Sequence, residues 1–238
     1  MCKVRAVLCD LDDTLFDHRS ATRMALAVVR DREPALARWT LDVLDTRHRE
    51  LLERLHIEVL AGRLSIENAR LQRFRALLEA AACEDVPSRA PDIARIYRDA
   101  YERSWHAVPG AIELLRLIKR EGLCVVVVTN NNVLEQQMKL EQVGLKAYVD
   151  HLVASEEVGC CKPEQAIFDC ALSRAGVVPA EAVMLGDAWA TDIEGALGAG
   201  IRPVWLNRFG QTSRDATVAE IASLTPVEGA FAALRRGV

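Results

Sequence analysis

Apolar residues along this chain alternate between short continuous runs and longer stretches in which they recur every three or four positions. The clearest run is Leu-Cys-Val-Val-Val-Val at 123–128. A run of this length that is rich in β-branched residues is typical of a strand buried on both faces of a parallel sheet. Shorter runs of the same kind predict further strands at 4–8, 151–154, 182–185 and 201–206.

Amphipathic stretches separate these runs and predict helices between the strands. Residues 111–121 form one helix that Gly122 ends, and residues 134–143 form another that Gly144 ends. Pro163 suits the first position of a third, which carries Ile167 and Phe168. The tail suggests an edge element near 216–218 and a closing helix. Regular alternation of strands and helices indicates a parallel sheet wound on both faces.

Residues 18–105 differ, because their apolar positions follow only the helical period. Gly62 suits the end of one helix and Ser65 the N-cap of the next, while 87–91 marks a break between two prolines. We expect four or five helices here. The stretch is too long for a crossover connection, so the sequence predicts a separate helical insert at 18–107 and a core formed by 1–17 and 108–238.

Composition narrows the class of protein. Thirty basic and thirty-four acidic residues give a net charge of −4, so the chain lacks the basic field that a nucleic acid polymer or an anionic membrane surface requires. No apolar run approaches the roughly 18 residues of a membrane span. The seven cysteines are scattered and odd in number, which is typical of reduced thiols in a cytoplasmic protein. They are Cys2, Cys9, Cys83, Cys124, Cys160, Cys161 and Cys170.

Polar side chains follow the predicted strands at their carboxyl ends, where parallel sheets gather their ligands. Each set by itself is explained by the turn propensity of Asp, Asn and Thr. Together they form an acidic pocket with one lysine, and crowded carboxylates favour a hard divalent cation, of which Mg²⁺ is the natural candidate. The residues are Asp10, Asp12, Thr129, Asn130, Lys162, Asp187 and Asp192.

The order of these residues resembles the four motifs of the haloacid dehalogenase superfamily phosphohydrolases. The first motif, D-x-D-x-T, spans 10–14; Thr129, Lys162 and Asp187 match the other three. The resemblance covers nearly the whole chain. It implies an α/β fold in which a Rossmann-like, doubly wound parallel sheet core carries an inserted all-helical cap of the C1 type.

The resemblance also implies catalytic roles. Asp10 is similar to the nucleophile that accepts the phosphoryl group, and Asp12 to the general acid and base. Lys162 would neutralise charge on Asp10 and on the transferred group. Asp13 fills the variable position of the motif, where we expect a turn residue.

The remaining matches imply binding roles. The hydroxyl of Thr129 and the main-chain amide of its neighbour Asn130 would hold the phosphate. The side chains of Asp10 and Asp187 and the main-chain carbonyl of Asp12 would hold Mg²⁺. Asp192 would support the metal's waters or Lys162.

The implied activity is Mg²⁺-dependent hydrolysis of a small phosphate monoester through an aspartyl-phosphate intermediate. Residues 134–137, 155–159 and 167–168 look most like the branch with pyrimidine 5′-nucleotidases and N-acylneuraminate-9-phosphatases, which favours a nucleoside monophosphate or a sugar phosphate as the metabolite bound. Asp12 speaks against dehalogenation, which needs no proton on the leaving group. A phosphomutase and a non-catalytic phosphate-binding module remain alternatives, and monomer and dimer both stay open. The adjacent Cys160 and Cys161 are expected to be small packed residues.

Overall fold

The computed structural model describes residues 3–235, so Cys2 lies outside the described residues. Its centre is a six-stranded sheet whose pairings are all parallel, in the order β3-β2-β1-β4-β5-β6. The strands are β1 (Ala6–Cys9), β2 (Cys124–Thr129), β3 (His151–Ala154), β4 (Ala182–Gly186), β5 (Arg202–Leu206) and β6 (Ala219–Ile221).

Helices occupy most of the rest of the described chain. Five belong to the insert: α1 (His18–Arg32), α2 (Pro34–Ala37), α3 (Leu41–Leu60), α4 (Ile66–Ala80) and α5 (Val86–Arg103). Six accompany the sheet: α6 (Ala111–Arg120), α7 (Val133–Gln142), α8 (Ser155–Val158), α9 (Gln165–Ala175), α10 (Glu194–Gly198) and α11 (Val227–Arg235). The predicted α/β class is confirmed, because a parallel sheet is flanked by helices.

The strand order explains why the apolar runs are continuous. Alternate residues of the central strands, Leu8, Val126 and Met184 among them, pack in one buried cluster with Phe168 of α9. Their neighbours in sequence, such as Val127, are equally buried and point to the other side of the pleat. A strand buried on both faces cannot alternate with polar residues.

Contacts divide the chain into two compact units, His18–Trp105 and the remainder. The predicted boundary at 107 lies two residues later. The difference arises because Ala107 forms an antiparallel bridge with Phe16, which ties it to the sheet unit.

Within the helical unit, a glycine follows the end of α3 and a side-chain cap begins α4. Gly62 adopts a φ of 68°, and Ser65 Oγ accepts a hydrogen bond from Asn68 N at 3.2 Å. The predicted break at 87–91 is wrong. Pro87 lies in the first turn of α5, where no amide hydrogen is needed, and Pro91 lies inside the helix, whose buried face holds Ile93 and Tyr97.

Two predictions in the sheet unit are also wrong in detail. Pro163 precedes α9, which begins at Gln165, because Pro163 belongs to the turn that Lys162 occupies. The edge strand lies at Ala219–Ile221 rather than near 216–218, where Asp215 instead accepts hydrogen bonds from the amide and hydroxyl of Thr217. Among residues 3–235, no helix has the length and apolar character needed to cross a membrane.

Gly110 and Gly122 provide a matched test of backbone packing. Both have positive φ, at 89° and 72°, but a Cβ on Gly110 would lie 2.8 Å from Thr225 Cγ2 and 2.9 Å from Leu224 O, while one on Gly122 would meet nothing within 4 Å. We expect Gly122→Ala to cost about 1 kcal/mol through its left-handed backbone. Gly110→Ala should cost a further ~1–3 kcal/mol through the clash. Urea denaturation measures both, and equal losses would contradict the packing argument.

Candidate active site

Two neighbouring central strands are each followed by an aspartate, and the two carboxylates lie close together. Asp10 directly follows β1, Asp187 directly follows β4, and the Asp10 amide donates to Leu185 O at 2.9 Å. The strand order reverses between β1 and β4, which opens the crevice where doubly wound sheets place ligands. Oxygens of Asp10, Asp187 and Asp192 all lie within 4.8 Å of one another. The structure therefore brings together three of the carboxylates that the sequence singled out.

Lys162 places one buried ammonium among these carboxylates. Its Nζ lies 2.6 Å from Asp10 Oδ1 and 2.7 Å from Asp192 Oδ1, and only 3% of the residue is exposed. Asn130 holds the turn that carries it, since Asn130 Nδ2 donates to Lys162 O at 2.9 Å and the Lys162 amide donates to Asn130 Oδ1 at 2.7 Å. The Asn130 side chain thus fixes the backbone of the lysine.

Asp192 is held from its own loop. A π-helical turn over Trp189–Ile193 folds it back towards the end of β4, and Asp192 Oδ2 accepts from the Ala188 amide at 3.0 Å. This approach requires Gly186, because a Cβ there would lie 2.4 Å from Asp192 Oδ2. The residue predicted to support Lys162 does contact it.

Burial and crowding shift the ionisation of the cluster. Burial raises the pKa of Asp10 to about 7; Lys162 opposes the shift and Asp192 adds to it. Burial, together with Asp10 and Asp192, also raises the pKa of Asp187 well above its ordinary value. Burial alone would lower the pKa of Lys162, but the two carboxylates reverse this and raise it.

These charges fit a divalent cation. If all three carboxylates lose their protons, they and the Lys162 ammonium carry a net charge of −2. Carboxylate oxygens are the donors that Mg²⁺ prefers, and two positive charges would balance the excess. Thr14, which the sequence left without a role, also reaches this cluster, since its Oγ1 donates to Asp187 Oδ1 at 3.3 Å.

Asp12 contacts two residues that sequence reasoning missed, and one of them also contacts Thr129. Gln136 Nε2 donates to Thr129 Oγ1 at 2.6 Å and to Asp12 Oδ2 at 3.0 Å. Lys139 Nζ lies 2.6 Å from Asp12 Oδ1. A signal was present, because Gln136 and Lys139 share the buried face of α7 with Leu140, where the helical period calls for apolar residues. Asp13 has a φ of 64° in the turn, as expected of a turn residue.

The described cysteines have the properties of unreactive thiols. The six that are described, from Cys9 to Cys170, are free thiols. Burial raises the pKa of both Cys160 and Cys161, which disfavours the reactive thiolate. Cys160 packs against the core cluster.

Comparison with known proteins identifies the family. The model for haloacid dehalogenase-like hydrolases matches residues 4–200. The chain belongs to the haloacid dehalogenase-like hydrolase family. Within that family, it is 31% identical over 204 residues to the ribulose-1,5-bisphosphate 5-phosphatase of Halopiger xanaduensis, an alignment that covers 84% of this chain and 83% of that one.

Two further proteins are similar to this chain, one in sequence and one in fold. The pyrimidine 5′-nucleotidase YjjG of Escherichia coli is 45% identical over 101 residues, which cover 42% of this chain and 44% of YjjG. The structure of the HAD hydrolase YfnB from Bacillus subtilis, solved with bound magnesium, matches with a TM-score of 0.77 at 22% identity over 97% of this chain and 99% of that one. The second likeness concerns the fold alone.

The raised pKa of Asp10 predicts that the free energy of unfolding depends on pH when a chelator keeps the site free of metal. The folded protein binds this proton more tightly than the unfolded chain does, whose pKa is near 3.8. The contribution of Asp10 to the free energy of unfolding is therefore present below pH 4 and lost as the pH rises through 7. Relative to Asp10→Asn, the wild type should lose on the order of 1 kcal/mol per pH unit in this window, measured by denaturation in EDTA.

The control for this measurement is Asp169→Asn, which changes an exposed carboxylate on α9. Its difference from the wild type should stay nearly constant with pH. A wild type that gains stability over Asp10→Asn between pH 4 and 8 would contradict the assignment.

Proposed function

We propose that this hydrolase is a Mg²⁺-dependent phosphatase that cleaves a small phosphate monoester through an aspartyl-phosphate intermediate. The observation that carries the proposal is the placement of Lys162 between Asp10 and Asp192, with Asp187 beside them, at the carboxyl ends of β1 and β4. A lone structural ion pair has no need of the third carboxylate, which adds unfavourable charge to a buried site.

The first step transfers the phosphoryl group to the enzyme. A carboxylate oxygen of Asp10 attacks phosphorus and forms a P–O bond, while the ester P–O bond breaks and its electrons stay with the leaving alcohol. The carboxyl group of Asp12 gives its proton to that oxygen. A covalent intermediate of this kind replaces one difficult displacement with two easier ones.

The second step releases phosphate. Asp12, now a carboxylate, accepts a proton from water as the water oxygen bonds to phosphorus. The bond between phosphorus and Asp10 breaks, which restores the carboxylate. The same residue therefore serves as acid and then as base, a type of assistance that contributes about 10²–10⁴-fold.

Electrostatic positioning supports both steps. Lys162 is fixed by Asn130 and offers its charge beside Asp10, where negative charge develops on the transferred group. The Thr129 hydroxyl and the main-chain amide of Asn130 would hold the non-bridging oxygens of the phosphoryl group. Positioning and charge are the main requirements of phosphoryl transfer.

Mg²⁺ would be held by the side chains of Asp10 and Asp187 and the carbonyl of Asp12, with Asp192 supporting Lys162. It would neutralise charge on the phosphoryl group. The raised pKa values of Asp10 and Asp187 support this assignment, because carboxylates that resist ionisation in the bare site are stabilised as anions by a cation.

The substrate is proposed to be a nucleoside monophosphate or a sugar phosphate. Relatives named for ribulose-1,5-bisphosphate and for pyrimidine nucleotides both support a phosphorylated pentose or a compound of similar size. Family likeness locates the chemistry better than the substrate, so the choice between the two classes rests on assay.

We expect p-nitrophenyl phosphate hydrolysis to require Mg²⁺ and to fall at least ~10³-fold in Asp10→Asn, because an amide oxygen cannot act as the nucleophile. Phosphate release in MgCl₂ and in EDTA measures both effects, with Asp169→Asn as the unaffected control. Activity that survives both the chelator and the substitution would refute the mechanism.

We further expect phosphate release from nucleoside monophosphates or pentose phosphates with no requirement for a bisphosphate activator. A phosphomutase would instead convert one phosphate isomer into another and depend on such an activator. A panel of nucleotides, sugar phosphates and glycolytic esters, assayed for free phosphate and for isomers, separates the two. Binding of esters with no turnover of either kind would favour the non-catalytic alternative.

A further inference from the structure

The second turn of α7 carries two buried polar residues towards the end of β2. Asn132 caps this helix, since its Oδ1 accepts from the Glu135 amide at 2.7 Å, and the helix therefore begins at Val133, four residues after Thr129. Gln136 and Lys139 lie one turn apart on its inner face and are 0% and 1% exposed. Neither matches one of the four motifs.

Lys139 directs its charge to Asp12. Its Nζ lies 2.6 Å from Asp12 Oδ1, 3.8 Å from Glu135 Oε1 and 4.9 Å from the centre of the Phe16 ring. A buried lysine is costly, and an apolar side chain of similar size would commonly pack as well. The lysine is thus poorly explained by packing and well explained by the carboxylate it holds.

Gln136 joins Asp12 to Thr129. Its amide nitrogen donates to Asp12 Oδ2 and to Thr129 Oγ1, while within residues 3–235 its buried Oε1 has no hydrogen-bond partner. The reverse orientation of the amide would place Oε1 against the carboxylate of Asp12, which is repulsive. With a lone pair of Thr129 Oγ1 occupied by Gln136, the hydroxyl hydrogen is available to a phosphate oxygen.

We propose that Gln136 and Lys139 are positioning residues, which hold the two oxygens of Asp12 and the hydroxyl of Thr129 in the orientation used in proton transfer and phosphate binding. The inference rests on the proposed function. Asp12 keeps 28% of its side chain exposed, so it can reach a substrate while both oxygens are tethered from the protein side. Proton transfer requires hydrogen-bond geometry, so a loosened Asp12 should slow both chemical steps.

The two steps differ in how far they need Asp12, which makes the inference testable. Nitrophenolate leaves readily without a proton, whereas phenolate is far more basic, and water attack needs the base for either ester. Lys139→Met should therefore show a burst of about one nitrophenolate per enzyme followed by slow turnover. The burst with phenyl phosphate should be slowed more than the burst with p-nitrophenyl phosphate.

The experiment compares Lys139→Met and Gln136→Leu with the wild type by stopped-flow and steady-state assays in saturating Mg²⁺. We expect kcat to fall by about 10–100-fold in Lys139→Met, with KM changed less than about 3-fold. Gln136→Leu should lower kcat and also raise KM, because Thr129 loses its partner as well. Lys139→Arg should recover much of the lost kcat, since it retains the charge and donors.

Matched controls are Lys146→Met, an exposed lysine just after α7, and Gln137→Leu, the next residue on the same helix. Both should keep wild-type kinetics. Burst amplitude reports the fraction of folded active sites. If Lys139→Met lacks folded protein, Gln136→Leu decides the matter by the same leaving-group comparison, with Lys139→Arg as the variant that keeps the charge.

The outcomes separate two failures. A wild type that hydrolyses neither aryl ester would refute the proposed function. An active wild type with Lys139→Met and Gln136→Leu at wild-type kcat, or with equal slowing of the burst for both esters, would overturn the positioning role alone.

Discussion

The structure depends above all on one ammonium, that of Lys162, enclosed among carboxylates at the switch point of a parallel sheet. A buried charge is tolerated only with close partners, and those partners come from distant parts of the chain. Asp10 follows the first strand and Asp192 follows the fourth. Asn130 follows the second strand, and its side chain hydrogen-bonds to the backbone of Lys162. Each of these contacts requires the strands to be in register.

Burying carboxylates and crowding them together are both unfavourable for folding, and burial, followed by the neighbouring carboxylates, raises the pKa values of Asp10 and Asp187. The surrounding structure maintains this crowding: Gly186 lets Asp192 approach the end of β4, and Trp205 donates from its indole to Asp187 O at 2.8 Å. Perturbed pKa values of this kind are found most often at functional sites. The same cluster of carboxylates has the donor atoms that a hard divalent cation prefers.

A second buried lysine lies close to this cluster. Lys162 donates to Asp10 and Lys139 donates to Asp12, so each of the two fixed aspartates of the first motif pairs with a buried lysine. Gln136 connects the Asp12 pair to Thr129, which makes α7 part of the site although it carries no motif residue. A short helix after a central strand thus contacts side chains that lie at the strand's end.

The sequence alone determined the fold class, the helical nature of the insert and the residues of the acidic cluster, because continuous valine-rich runs, helical periodicity and polar strand ends are local signals. It misplaced Pro163 and the last strand, because local turns delay the start of the element in both places. It also misplaced Pro91, because α5 continues through the predicted break and buries one face. Only the tertiary structure brought Gln136 and Lys139 to Asp12, more than a hundred residues away in the chain. A polar residue on a buried helical face indicates that a partner exists, but only the assembled sheet decides which one, because the partner is set by strand order.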